Sequence, residues 1–315
     1  MKNKNTLVFS SGLEFPRFFP GPMEGVMTPL FCRAFHQLHL TQGWLTPYYR
    51  VTTAVPKDSK LKKFIQPYME NDLPVIVQLM GTDACLLTKV AERMISLGAK
   101  GINLNFACPS KQVIKSRAGG ALLRDIPLMV EILKSIQNAL PKISLSVKIR
   151  CGFEDWRESE NIIPALIETA ALDFIGVHFR TVKENYSTIK GGIERLKRVL
   201  FLAGKVSVIG SGDVFSNEDA QKLLDLGCAG AMVARGILRN PFLIHNLQQT
   251  EKDTLSSENG RQRFFTTLQE IAKTDEKLYS RAKFLEYAAM IWGTDSKQFS
   301  AIKLQQNRDI LNFTV

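Results

Sequence analysis

Short apolar runs rich in β-branched and aromatic residues recur along this chain, separated by longer stretches whose apolar positions return every three or four residues. The first pattern predicts strands over residues 18–23, 43–48, 75–79, 102–105, 145–149, 174–178, 206–210 and 230–234. The second predicts amphipathic helices over 83–97, 128–139, 159–170 and 217–226. Ser216 is the expected N-cap of the last, with Asp219 three positions on in an acidic variant of the capping box, and Gly227 is expected to end it. Strands alternating with helices over roughly 240 residues suit a (β/α)8 TIM barrel, which typically spans about 250. A doubly wound sheet is the alternative, but no GxGxxG follows the first strand. From about residue 250 the pattern changes. Residues 250–260 are polar, with Ser256, Ser257 and Gly260, and read as a linker; helical runs follow. The expected organisation is a catalytic barrel over 1–249 and a small all-helical domain over 250–315.

Composition narrows this little. A hydrophobic share of 45% and a charged share of 23% are ordinary for a globular protein. No apolar run approaches the roughly 20 residues of a membrane span. The basic start, residues 1–10, has too short an apolar part for a secretory signal, and reads as a local extension of a cytoplasmic protein. The five cysteines are odd in number, scattered and without a CxxC pair, which supports neither a disulfide framework nor a metal site. Charge is more informative. Residues 251–315 hold ten Lys and Arg against nine Asp and Glu, so +10 of the net +11 lies in residues 1–250. It clusters at Lys57, Lys60, Lys62 and Lys63, at Lys111, Lys115, Arg117 and Arg124, and from Arg180 through Lys183, Lys190, Arg195 and Lys197 to Arg198. Two clusters directly follow predicted strand ends, which favours a basic rim around an active site over a merely solvated surface.

The candidate chemistry also sits at strand ends. Cys108 leaves the strand over 102–105 on a loop that Pro109 prevents from continuing as ladder, where α/β enzymes place reactive groups. Gln78, Asn103, Lys148, His178 and Arg180 lie at or near the ends of neighbouring strands. Lys148 within Leu-Ser-Val-Lys-Ile is costly to bury unless something anionic or polar meets it. The last two strand ends, Gly210-Ser211-Gly212-Asp213 and Ala234-Arg235-Gly236, suit a phosphate, because glycines permit close main-chain approach and an arginine makes bidentate contacts. Phosphate on one side of a barrel mouth and a lysine on another suit flavin mononucleotide (FMN), with Lys148 opposite negative charge on the reduced ring, Gln78 and Asn103 on its edge and His178 in contact.

Pro22-Met-Glu-Gly-Val26, Val77-Gln-Leu79, Asn105-x-x-Cys-Pro-Ser-Lys111, Gly119-Gly-Ala-Leu-Leu123, Val147-Lys-Ile-Arg150, Val177-His-x-Arg-Thr181, Gly210-x-Gly-Asp213 and Ala234-Arg-Gly236 occur in that order. The series resembles the tRNA-dihydrouridine synthases, over about residues 17–245 and more loosely beyond. The Met-Glu-Gly-Val start and Leu45-Thr-Pro-Tyr-Tyr-Arg-Val51 are most similar to the C-type subgroup, which acts on D-loop uridine 16. The resemblance implies an FMN-dependent oxidoreductase in which NADPH reduces the flavin, hydride passes from N5 to C6 of uracil, and Cys108 gives a proton to C5. It implies Pro22, Met23, Gln78, Asn103, Lys148, His178, Gly210, Ser211, Gly212, Asp213, Ala234 and Arg235 as cofactor contacts. Arg50, Lys111, Arg117 and Arg180, with Arg281 and Lys283 in the helical tail, are expected to meet RNA. The partner implied is tRNA; no membrane and no metal are expected, and the protein is expected to be a monomer.

Departures from the family pattern fall near the pocket. Phe106-Ala107 stand where Cys-Gly is usual, Phe179 replaces a glycine, Ser211 an asparagine and Ala234 a glycine, and a tryptophan expected after Tyr186 is absent, with Ile193 near its place. Phe106 and Phe179 are expected to narrow the pocket and alter which base enters. The competing readings are an FMN barrel reducing a free pyrimidine, and a non-catalytic tRNA-binding barrel.

Overall fold

The computed structural model describes residues 5–248 and 257–314. The boundary expected between 249 and 250 and most of the expected linker lie outside the described residues. Ser257 and Gly260, expected in that linker, instead lie in a helix.

The chain begins with a hairpin, β1 (Thr6–Val8) against β2 (Glu14–Pro16), then β3 (Phe18–Pro20) and α1 (Pro29–Gln37). Thr28 caps α1 by accepting from the Phe31 amide, with Pro29 in the first turn. There follow β4 (Trp44–Leu45), β5 (Tyr49–Arg50), α2 (Asp58–Ile65), β6 (Val75–Met80), α3 (Ala84–Ser96) and β7 (Gly101–Phe106). Next come α4 (Lys111–Lys115), α5 (Ile126–Ala139), β8 (Ser144–Arg150), α6 (Ser159–Thr169), β9 (Phe174–His178) and α7 (Gly192–Ala203). The barrel ends with β10 (Ser207–Ser211), α8 (Asn217–Asp225), β11 (Gly230–Val233), α9 (Arg235–Arg239) and α10 (Leu243–Gln248). As expected, Ser216 caps α8 through the Asp219 amide, and Gly227 takes a φ of +107° just after it.

The parallel strands run in the order β3-β11-β10-β9-β8-β7-β6-β4, and β3 lies beside β4, so the barrel nearly closes. β4 and β5 both pair with β6 but in registers one residue apart: Leu45 faces Ile76, whereas Tyr49 faces Leu79. Three residues, Thr46 to Tyr48, therefore oppose two, which makes a bulge at Pro47, a residue with no amide to offer the ladder.

Alternation along each strand sorts the barrel interior into layers. At the N-terminal end Phe15, Phe19, Leu45, Ile76, Phe174, Ile209 and Met232 pack with Phe9 from the hairpin. The hairpin is thus a plug under the barrel, and the start of the chain is more than the local extension its sequence suggested. Higher up, the Gln78 amide donates to Asn103 Oδ1 (2.7 Å), and the Asn103 amide donates to Ser146 Oγ (2.9 Å).

The tail forms α11 (Ser257–Thr274), α12 (Arg281–Trp292) and α13 (Lys297–Leu304). Its core is continuous with the helical shell: Phe264 meets Phe31 and Phe35 edge-on, and the Tyr287 hydroxyl donates to Val26 O at 2.8 Å. No described helix is long and apolar enough to cross a membrane.

Candidate active site

A cavity of about 420 Å³ opens at the C-terminal ends of the strands, in the usual size range for a ligand site. Cys108, Lys148, His178, Tyr48, Tyr186 and Asn105 line one part of it; Ser211, Gly212, Asp213, Ala234, Arg235 and Phe215 line another, with Pro22, Met23 and Glu24 beside them.

Asn105 sets the position of Cys108. Its side-chain oxygen accepts from the Ala107 and Cys108 amides, each at 3.0 Å, while its amide donates to Gln78 Oε1 at 2.7 Å. The cysteine loop is therefore tied through Asn105, Gln78, Asn103 and Ser146 to the barrel interior. Arg150 ties it from above: Nε donates to Ala107 O (3.0 Å), and Nη1 to Thr181 O (2.9 Å) and Asn185 O (2.7 Å). One buried guanidinium thus joins the loops after β7 and β9. The side chain of Asn105 two residues before the Ala107 amide was a legible signal for a local turn. Arg150's partners, up to 43 residues away, had none.

Lys148 projects into the interior with no ion pair among the described residues, and burial, then the Arg150 charge, draws its ammonium down to about 8. His178 is pushed well below the usual histidine range by burial and by the charges of Arg150, Lys148, Arg180 and Arg235. It is neutral at pH 7. Its Nδ1 accepts from the Arg180 amide at 3.3 Å, which leaves the proton on Nε2.

Opposite, Asp213 (φ +50°) clasps Arg180 Nη2 at 2.5 Å and Arg235 Nη2 at 2.8 Å. The carboxylate holds two guanidiniums beside a main chain that Gly212 (φ +112°) turns; a Cβ there would meet Phe179 at 2.8 Å. Arg180 Nη1 is buried without a hydrogen-bond partner. Such an end suits an anion with several acceptor oxygens.

The structure brings Pro22, Met23, Cys108, Lys148, His178, Ser211, Gly212, Asp213, Ala234 and Arg235 together on one cavity. Other expected contacts lie elsewhere. Gln78 and Asn103, neighbours in register on β6 and β7, are fully buried below the cavity and bonded to each other. Gly210 faces outward against Leu223 of α8. Phe106 points outward into the helical shell because strand alternation sends Asn105 inward, and Phe179 stacks on His178 and packs against Gly192 and Gly212 outside the cavity. Neither narrows the pocket; Ala107 alone of the substituted pair lines it.

The basic rim divides in the same way. Arg50, Lys111 and Arg117 are exposed, and no ion pair engages them among the described residues. Arg180, expected on the rim, is only 4% exposed because Asp213 and Ser187 O hold it inside. Lys183, Arg195 and Arg198 are paired with Glu154, Glu184 and Glu160. Arg281 donates to Lys303 O and Gln305 O, and Lys283 to Gly25 O and Glu286, so both hold the tail in place. Among the described residues no group of His, Cys, Asp or Glu is placed to hold a metal ion.

Fold and site together define a TIM-barrel enzyme whose mouth joins a thiol, a half-buried lysine without an ion pair among the described residues, and two guanidiniums clasped by one carboxylate. Residues 20–310 match the model of the family described as dihydrouridine synthase (Dus), and the chain belongs to that family of oxidoreductases. It is 31% identical to the tRNA-dihydrouridine(16) synthase of Vibrio parahaemolyticus, over 71% of each chain. The protein of that name from Neisseria meningitidis is 27% identical over 90% of this chain and 87% of its own. Among solved structures, a variant of NCR from Zymomonas mobilis superposes with a TM-score of 0.58 at 15% identity, covering 81% of this chain and 93% of that one. TcOYE with pHBA gives 0.59 at 9% identity, covering 78% and 92%. These two likenesses are of fold.

Proposed function

We propose that the chain reduces a D-loop uridine of tRNA, at position 16, to 5,6-dihydrouridine, with FMN in the cavity and NADPH as reductant. Family membership and the names of its relatives support the reaction and the substrate class. The observation that carries the chemistry is that Cys108, Lys148 and the Arg235 loop open onto one cavity.

The residues present fit a flavin nucleotide. Gly212 admits close main-chain approach, and Arg235, held by Asp213, presents a guanidinium to a phosphate. Lys148 supplies a cation without a partner for the negative charge a reduced flavin ring carries. When bound, the flavin supplies hydride to C6 of uracil. Cys108, with its amide fixed by Asn105 and its loop fixed by Arg150, gives its thiol proton to C5 as general acid. Neutral His178 offers an Nε2 donor to a ring contact and adds no charge that would compete with Lys148.

The cavity lies within the barrel mouth, so the uridine has to leave its stack to reach Cys108. Arg50, Lys111 and Arg117 are the rim cations suited to RNA phosphates. The test is to record oxidised-flavin absorbance of the purified protein and to map dihydrouridine in tRNA from cells with the gene deleted. Loss at position 16 and its restoration by the purified protein are expected. Unchanged dihydrouridine at every position overturns the reading; turnover of free uracil favours a small-pyrimidine reductase instead.

A further inference from the structure

The bulge between β4 and β5 has a consequence at Cys108. Thr46 pins it from within: its amide donates to Ile76 O (3.0 Å), its hydroxyl donates to Pro47 O (2.9 Å), and its Oγ1 accepts from the Gln78 amide (3.1 Å). The extra residue carries Tyr48 out of the ladder and onto the cavity wall that Cys108 also lines. There Tyr48 and Cys108 pack together against Met80, Val113 and Ala118, which puts the phenol and the thiol in one cluster on the cavity wall. Burial, with contributions from Cys108 and Glu24, raises the phenol to about 12, so it stays protonated and can donate wherever the protein works. The bulge and the Gln78-Asn105 chain converge: the Gln78 main-chain amide donates to Thr46 Oγ1, and its side-chain oxygen accepts from the amide of Asn105, which holds the Cys108 amide. One strand residue thus sets both members of the pair.

We propose that Tyr48 is a positioning residue for Cys108, orienting the thiol and donating its O–H to the sulfur once the proton has gone. This rests on the reading of Cys108 as proton donor. In the step itself the S–H bond breaks, the C5–H bond forms, and the electron pair remains on sulfur. C5 receives the proton as C6 receives hydride, so the uracil ring gains one H⁻ and one H⁺ and ends neutral. The thiolate left behind takes its next proton from water. A neutral phenol that turns its O–H to the sulfur stabilises that thiolate more than it stabilises the thiol, because hydrogen bonds to charged acceptors are the stronger ones. Lys148, whose charge interacts with Cys108, acts in the same sense.

The test uses the full-length protein and two readouts on Tyr48→Phe. The first is the pH profile of Cys108 alkylation by iodoacetamide, followed on the Cys108 peptide by mass spectrometry and needing no tRNA. Loss of the O–H donor is expected to move the profile to higher pH. The second is single-turnover reduction of tRNA, expected to fall roughly tenfold with tRNA affinity unchanged. Should Y48F lose its fold, Y48M repeats the comparison, keeping the packing on Met80 and Val113 without a donor. An alkylation profile that coincides with that of the unsubstituted protein in the folded variant overturns the proposal. A shifted profile in a protein that leaves every uridine unreduced supports the Tyr48–Cys108 pairing and defeats the proposed function instead.

Discussion

Along the same strands, the barrel interior changes from aromatic and aliphatic side chains at its N-terminal end to polar and titratable groups at its C-terminal end. The lower end is Phe15, Phe19, Phe174, Ile209 and Met232 over a hairpin plug. The upper end is Asn105, Lys148 and His178, two of them with strongly displaced protonation. Between them the Gln78, Asn103 and Ser146 side chains satisfy one another, and Met232 reaches from the lower cluster to the cavity wall. The difference separates stability from function. Atoms removed below leave a void in packed hydrocarbon, whereas the upper groups are held at an energetic cost in return for a reactive arrangement.

The most severe break at the upper end is Cys108→Ala. Loss of a general acid lowers turnover by about 10²–10⁴-fold. Its melting curve should match that of the unsubstituted protein, and dihydrouridine content of reacted tRNA is the measurement. At the lower end Phe174→Ala should cost about 3–5 kcal/mol in denaturant unfolding, while turnover per folded molecule stays the same. A large change in flavin-dependent chemistry there would dissolve the separation.

Lys148→Met tests both ends of the comparison at once. Burial lowers the folded-state value of Lys148 to about 8, so between there and its ordinary range the unfolded chain binds more protons, and its contribution to stability rises with pH. Below that window the folded protein holds a partly desolvated charge. The methionine variant without flavin is therefore expected to melt higher than the unsubstituted protein at pH 7, with the gap closing as pH rises through the window. Flavin affinity, measured by fluorescence, should move oppositely: it falls above about pH 8 when Lys148 is present and is weaker but flat in K148M.

The smallest effects belong to the rim. Arg50→Ala, Lys111→Ala and Arg117→Ala should each weaken tRNA binding modestly and reduce the salt slope by about 0.7–0.9. Lys183→Ala should leave the slope almost unaltered, because Glu154 already neutralises it. Equal slopes for all four variants would show that pairing with carboxylates does not sort the basic residues.

Local patterns in the chain carried the barrel. Parallel strands buried on both faces leave short apolar runs, and each predicted strand lies within a few residues of an observed one. The positions of Cys108, Lys148 and His178 were legible too, since a strand end is a local event. The hairpin plug was not legible, because nothing in residues 6–16 says that Phe9 will pack on Phe174 and that Phe15 will join the same cluster. Nor was the orientation of Phe106 and Phe179, which depends on the phase of the pleat.

What the sequence determined by itself was the fold class and the strand ends that bear chemistry, because hydrophobic period and chain-breaking residues act over a few positions. Only the tertiary structure decided which cations remain available. Arg180 and Arg117 read alike along the chain, yet Asp213 takes one inside and the other stays in solvent. Charge pairing depends on distance in space, which a linear pattern does not encode. The same holds at the cysteine: its strand end was visible in the sequence, but the phenol beside its sulfur came from a bulge in another strand.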